Sequence, residues 1–300
     1  KFVKDNSFIN NNTNNNGNIN FEPTFEKKKT YKFSKIKQFN SIEAEILFLE
    51  NNDLIFFDNK GTIFRINENF ETLWKVNHYS KKERKINPIL YINYINNNLI
   101  AIDTLSNILS INIDTGELNW KKVGISPFNS NVAINKDKFM TIDFDNMIRC
   151  FSVIDGKELW NFQTENSFIK SLKKLSVIIK DDIVYSLNTL GDLTALNIND
   201  GSLVWQTPTQ SSEIFLNAFS LKNSKMILKN ETIYFSNNKN ELFSIDARTG
   251  IVKWKQTVNS SLKPTISENY IFNISEEGYL FVIDNQTGNI IRITDLFSIF

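Results

Sequence analysis

Histidine and cysteine are almost absent from this chain of 300 residues, with His78 and Cys150 the single examples of each. One cysteine excludes an intramolecular disulfide and a Cys-x-x-Cys redox pair, and the two together exclude a multi-His or multi-Cys zinc site. Alanine, the best helix former, occurs only 6 times, which argues against an all-α fold. Charge of one sign is not in excess. The 34 Lys+Arg and 33 Asp+Glu leave a net of +1, so the global basic field of a dedicated nucleic-acid binder is missing, and nucleic acid is not expected as a partner. Long apolar runs are missing too: the uncharged stretch 86–102 carries five asparagines and a proline, whereas a membrane helix needs about 20 mostly apolar residues. No Gly-x-Gly-x-x-Gly or Walker loop occurs to cradle a phosphate. The sequence opens on Lys1 without an apolar signal segment, so membrane contact is expected only through a partner or a lipid anchor lying upstream.

What is abundant points to strands and turns. There are 44 Asn, 40 Ile and 25 Phe, residues of turns and of pleated, half-buried surfaces. The five tryptophans are periodic, at Trp74, Trp120, Trp160, Trp205 and Trp254, with intervals of 46, 40, 45 and 49 residues. Gly116, Gly156, Gly201 and Gly250 each stand four positions before a tryptophan, and Gly288 has Arg292 at that offset. The unit from Ile66 to Trp74 is one residue shorter and has no turn glycine. Residues 43–300 therefore read as six units of about 43 residues, a period that signals a repeat architecture.

Each motif, such as Ile245-Asp-Ala-Arg-Thr-Gly-Ile-Val-Lys-Trp254, ends one alternating strand, turns through a glycine free to take positive φ, and starts a second strand carrying the tryptophan inward. Upstream lies another strand and turn, as in Leu54–Phe64, Ile183–Leu193 and Tyr270–Leu280, and a further apolar segment precedes that. Four short strands per unit describe a blade, and the fold predicted is an all-β propeller of four-stranded antiparallel blades. The tryptophans are expected to fill the wedge between adjacent blades.

Chemistry-bearing residues are few. Cys150 falls in a strand pattern, Met147–Val153, that predicts a buried, inert thiol. His78 opens the charged run His78–Lys85, expected to be an exposed loop rather than a tuned general base. In the same run Lys81, Lys82, Arg84 and Lys85 read as a solvated face. Asp114, Asp155, Asp200, Asp246 and Asp284 recur at turns, where an acid's natural task is to accept backbone hydrogen bonds. No catalytic residue, metal site or cofactor is expected.

The run from Ile245 to Trp254 resembles the pyrroloquinoline-quinone (PQQ) repeat, aliphatic-Asp-Ala-x-Thr-Gly-x-x-x-Trp, and the resemblance extends over all six units. It implies one of two branches. Quinoprotein dehydrogenases are longer, in many cases hold the quinone against adjacent cysteines, and place Asp, Glu and Asn around a calcium-type ion; the paired cysteine is missing here. The BamB family of outer-membrane scaffold lipoproteins demands only a rigid ring that binds proteins. That branch implies a periplasmic, non-catalytic scaffold that assists insertion of β-barrel proteins, its partner the barrel assembly subunit with soluble repeat domains. In that family a Leu-x-Leu-Arg-like segment contacts the partner. Here Leu172 and Lys173 stand at the Leu-Arg pair, while the family's acidic positions fall in Leu221–Lys225, which has no acid. A quinone-dependent dehydrogenase relative and a generic protein-binding propeller are the alternatives.

Residues 1–20, with eight asparagines among positions 10–20, are expected to be a disordered linker. Residues 21–42 form a connecting segment in which Tyr31–Ile36 alternates like a strand; the resemblance implies that it closes the ring. Family members have eight blades, so the six units 43–300 are expected to be part of an eight-bladed ring, with a six-bladed propeller as the alternative.

Overall fold

The computed structural model describes residues 30–33, 45–164, 173–210 and 221–299. These hold six four-stranded antiparallel sheets, each built from consecutive strands paired in chain order. The first blade comprises Leu47–Phe48, Leu54–Phe57, Ile63–Ile66 and Thr72–Val76. The others occupy 90–123, 133–163, 176–207, 227–256 and 265–295. The first strands of blades 2 and 4 both approach that of blade 3, which places the first strand of each blade on the inside and the fourth at the rim. This is the propeller predicted from the repeat.

The apolar residues on the two faces of each blade explain the stacking. Five hydrophobic cores lie between successive blades: Ile55, Ile63 and Trp74 meet Leu99 and Leu109, and the pattern continues to Tyr234 and Leu242 against Ile266, Ile271 and Ile283. A buried aliphatic side chain stabilises by about 1.5–3 kcal/mol, so these seams, not the solvated rims, hold the array together. The outer face of blade 1 carries Phe56 and Phe64 stacked at 5.3 Å, and Tyr31 and Phe33 pack edge-on against Phe56 at 5.8 and 4.9 Å. Of the stretch expected to close the ring, residues 31–33 thus lie on the first blade without strand pairing. Residues 34–36, and the Asn-rich 10–20, lie outside the described residues.

In all six blades the ladder between third and fourth strands shifts register by one residue, between Arg65/Ile66, Ser110/Ile111, Cys150/Phe151, Ala195/Leu196, Ser244/Ile245 and Val282/Ile283. The residue before each shift is opposite the tryptophan, or Arg292 in blade 6. A bulge bends and twists a strand locally, and here it recurs beside the one large ring of the motif.

The tryptophans stand on the fourth strands and pack against the cores between blades, Trp74 buried and the other four half-buried. One expectation needs correction. The run 78–85 was expected to be an exposed loop. Residues Lys81–Ile86 instead form the α-helix found among the described residues, started by a capping box in which the Glu83 amide donates to Ser80 Oγ and the Ser80 amide to Glu83 Oε2. His78 is half-buried, its Nε2 3.1 Å from the Gly116 carbonyl oxygen.

Candidate functional site

The repeat motif builds a joint between blades. The glycine and the tryptophan of one unit do not meet; each tryptophan packs on the glycine of the following blade. Trp74 lies on Gly116, Trp120 on Gly156, Trp160 on Gly201, Trp205 on Gly250 and Trp254 on Gly288. A Cβ at these glycines would stand 2.5–3.0 Å from the ring, and their φ of 68–76° is one that only glycine adopts without strain. Each indole Nε1 donates to a carbonyl of that same neighbouring turn, those of Ile113, Val153, Ile198, Ala247 and Asn285, at 2.9–3.2 Å. Blade 1, without the glycine, has Phe70 at φ 61° in its turn; blade 6, without the tryptophan, has Arg292.

Residues able to do chemistry are engaged in this framework. Cys150 is fully buried between blades 3 and 4, and burial, only partly opposed by Lys138, pushes its thiol up to about 12. Burial, offset in part by its bond to Gly116, lowers the pKa of His78, with Lys121 pushing the same way. His78 does for Gly116 what Thr207 and Gln256 do for Gly250 and Gly288, each donating to the glycine carbonyl. The turn acids serve backbone amides: Asp246 accepts from Arg248 and Asp284 from Gln286, while Asp155 and Asp200 accept from Lys157 and Ser202. Asp114 pairs with Arg65 at 3.0 Å. Among the described residues no group of three His, Cys, Asp or Glu side chains could hold a metal ion.

Of the two residues implicated in partner contact, Leu172 lies outside the described residues. Lys173 stands where the segments leading into the first strands converge on the axis. Its carbonyl accepts from Asn129 Nδ2 at 3.2 Å, and its ammonium donates across to the Ser261 carbonyl, ahead of blade 6. Leu175 bridges in parallel to Ser130, and Asn131 clamps Val177 through both its amide and its carbonyl. Lys174 pairs with Glu45, ahead of blade 1, and lies over the Tyr91 ring at 4.9 Å. Lys225 follows Ser224 and precedes Met226, whose amide donates to Ser176 at 3.0 Å. Spacing gave no sign of this convergence, since Asn129, Asn131 and Ser261 belong to no repeat motif.

The architecture defines a β-propeller of PQQ-like repeats. A family model described as outer membrane protein assembly factor BamB matches residues 59–294, and the chain belongs to that family. No curated protein matches the sequence. Among solved structures, BamB from Moraxella catarrhalis superposes with a TM-score of 0.70 at 16% identity, covering 87% of this chain and 78% of that one. A europium-containing methanol dehydrogenase follows with 0.56 at 12% identity, covering 69% of this chain and 50% of its own. Quinohemoprotein alcohol dehydrogenase from Comamonas testosteroni gives 0.52 at 15%, covering 68% and 42%. At these identities the structural matches establish the fold.

Proposed function

We propose that the protein is a non-catalytic scaffold in the periplasm, working at the outer membrane in the assembly and insertion of β-barrel proteins. The observation that carries the reading is the BamB family match over 59–294. It is supported by the engagement of Cys150, His78 and the turn acids in packing and backbone bonds, which leaves them in structural roles. The partner is a barrel assembly subunit with soluble repeat domains, and Leu172 and Lys173 contribute to the contact. A rigid ring presenting loops and segment ends suits such binding, because no group on it has to move. The folded protein, immobilised and exposed to a detergent extract of outer membranes, is expected to capture that subunit; recovery of no barrel protein contradicts the reading.

The dehydrogenase structures that share the fold favour a second reading, a quinone-dependent oxidoreductase relative. It predicts turnover of an artificial electron acceptor on addition of PQQ and calcium. The scaffold reading predicts none.

A further inference from the structure

The proposed partner contact leaves one cationic segment unused. The helix Lys81–Ile86 carries Lys81, Lys82, Arg84 and Lys85 against the single acid Glu83, and it joins the rim strand of blade 1 to the first strand of blade 2. Glu83 is turned inward, bonded to Lys121 Nζ at 3.3 Å and to Asn107 Nδ2 at 3.2 Å in blade 2. At about 3.6 residues per turn the residues two positions to either side, Lys81 and Lys85, fall on the opposite face, and Lys82 stands beside Ile86 on the flank. All four are exposed, as is Arg84, whose Nε donates to the Tyr79 carbonyl and ties the helix to the chain before it. The acid of the neighbouring turn, Asp103, is fully buried and taken up by the Leu105 and Asn107 amides.

Exposed aliphatic side chains stand at the same end of these blades. Ile86 is 64% exposed, Val123 73% and Ile125 87%. Val123 ends the rim strand of blade 2 opposite Asn107, the residue that bonds Glu83, and the Gly124 amide, one residue on, donates to the Ser106 carbonyl at 2.6 Å. Ile125 is thus held out on a short, fixed connection, and it is the most exposed large hydrophobic side chain among the described residues. Separate aliphatics with lysines among them do not make the contiguous, desolvated core of a protein interface. A nucleic-acid strand would need stacking aromatics, and Tyr79, the ring beside the helix, is buried beneath Lys121. A bilayer surface asks only for cations near its phosphates and for aliphatic side chains that reach the acyl boundary.

We propose that the helix Lys81–Ile86 and the connection Val123–Ile125 form a surface for an anionic phospholipid bilayer, the ammoniums of Lys81, Lys82 and Lys85 meeting headgroup phosphates while Ile86, Val123 and Ile125 enter the interface. The contact is direct, additional to any made through a partner or an upstream anchor, and it does not depend on the scaffold reading. Three lysines and three aliphatic side chains give a reversible, salt-sensitive attachment rather than an insertion. It turns the end of blades 1 and 2 that carries the helix toward the membrane.

The test is sedimentation of the full chain with vesicles of phosphatidylcholine, with and without phosphatidylglycerol. Binding is expected to the anionic vesicles alone and is expected to fall as salt rises. The triple variant Lys81→Gln, Lys82→Gln, Lys85→Gln is expected to weaken it by about tenfold or more, since a lysine near an anionic surface is worth about fivefold in partitioning. The variant Lys81→Arg, Lys82→Arg, Lys85→Arg, which keeps the charge, is expected to bind as the parent does, and Ile125→Ser to bind more weakly while thermal unfolding stays unchanged. The inference is overturned if the anionic vesicles bring down none of the chain, if the Gln and Arg variants bind alike, if Ile125→Ser binds as the parent does, or if dissolved polyglutamate binds as tightly as the anionic vesicles. Barrel capture is read separately. Vesicle binding with no captured barrel protein ends the scaffold reading alone; a captured barrel subunit with no vesicle binding ends the lipid inference alone.

Discussion

At the residue scale, the tryptophan and the glycine of the motif are partners across a seam. Trp205 is half-buried, so truncation removes part of a ring and leaves the Ala247 carbonyl without its 3.1 Å donor. Trp205→Ala is expected to cost about 2–3 kcal/mol, less than the loss of a fully buried indole. Gly250→Ala would set a Cβ 2.6 Å from Trp205 Cε3 at φ +74°, a penalty of about 2–4 kcal/mol from backbone strain and overpacking. In the Trp205→Ala background the clash with the ring disappears, while the close approach to Thr207 Oγ1 at 2.7 Å and the backbone strain stay. A double-mutant cycle by urea denaturation is therefore expected to give a coupling of about 1–2 kcal/mol; strict additivity would mean that the two residues do not form a joint. Cys150, its thiol pushed up to about 12 by burial, is expected to be silent to a disulfide reagent at pH 8 and to react once urea unfolds the chain.

At the scale of elements, the local signals in the sequence differ in how much they reveal. Hairpins are legible because a strand, an Asn or Asp and a glycine sit within ten residues, and the structure shows the reason: Asn112, Asn197, Asp246 and Asp284 each accept from the amide two residues on. The joint is not legible from one unit, since a glycine four positions before a tryptophan reads as its companion. Only the ends give it away, unit one lacking the glycine and unit six the tryptophan. The helix was legible in Ser80-x-x-Glu83, a capping box hidden by the charged run. Burial works to raise the Glu83 pKa, but the Ser80 hydroxyl and amide, with Lys121, outweigh it and hold the carboxyl at about 2 instead of 4.5. A carboxyl depressed on folding stabilises above its unfolded pKa and loses that contribution as pH falls through the folded value. The tie from Glu83 to Lys121 and Asn107 of blade 2 is thus expected to weaken between about pH 4.5 and 2. A carboxyl titration by NMR checks this, and an ordinary midpoint near 4.5 would contradict it.

At the scale of the whole molecule, spacing is enough for the propeller, because a blade cannot bury its faces alone and the repeat announces its neighbours. The contacts near the axis escape such a reading. Lys173 and Ser261 are separated by 88 residues and meet only because the first strands share an axis. Function also lives at this scale, where one ring fold serves both assembly factors and dehydrogenases. The chain's own residues accord with the proposed scaffold, its thiol buried, its histidine bound to a backbone carbonyl, four of its turn acids bonded to amides and Asp114 to Arg65. The most direct test of that claim is the folded content of outer-membrane β-barrel proteins in cells depleted of this protein. The scaffold account predicts that heat-modifiable, folded barrels fall while unfolded precursors accumulate in the periplasm, and that the wild-type chain restores them. Unchanged barrel content after depletion would contradict it.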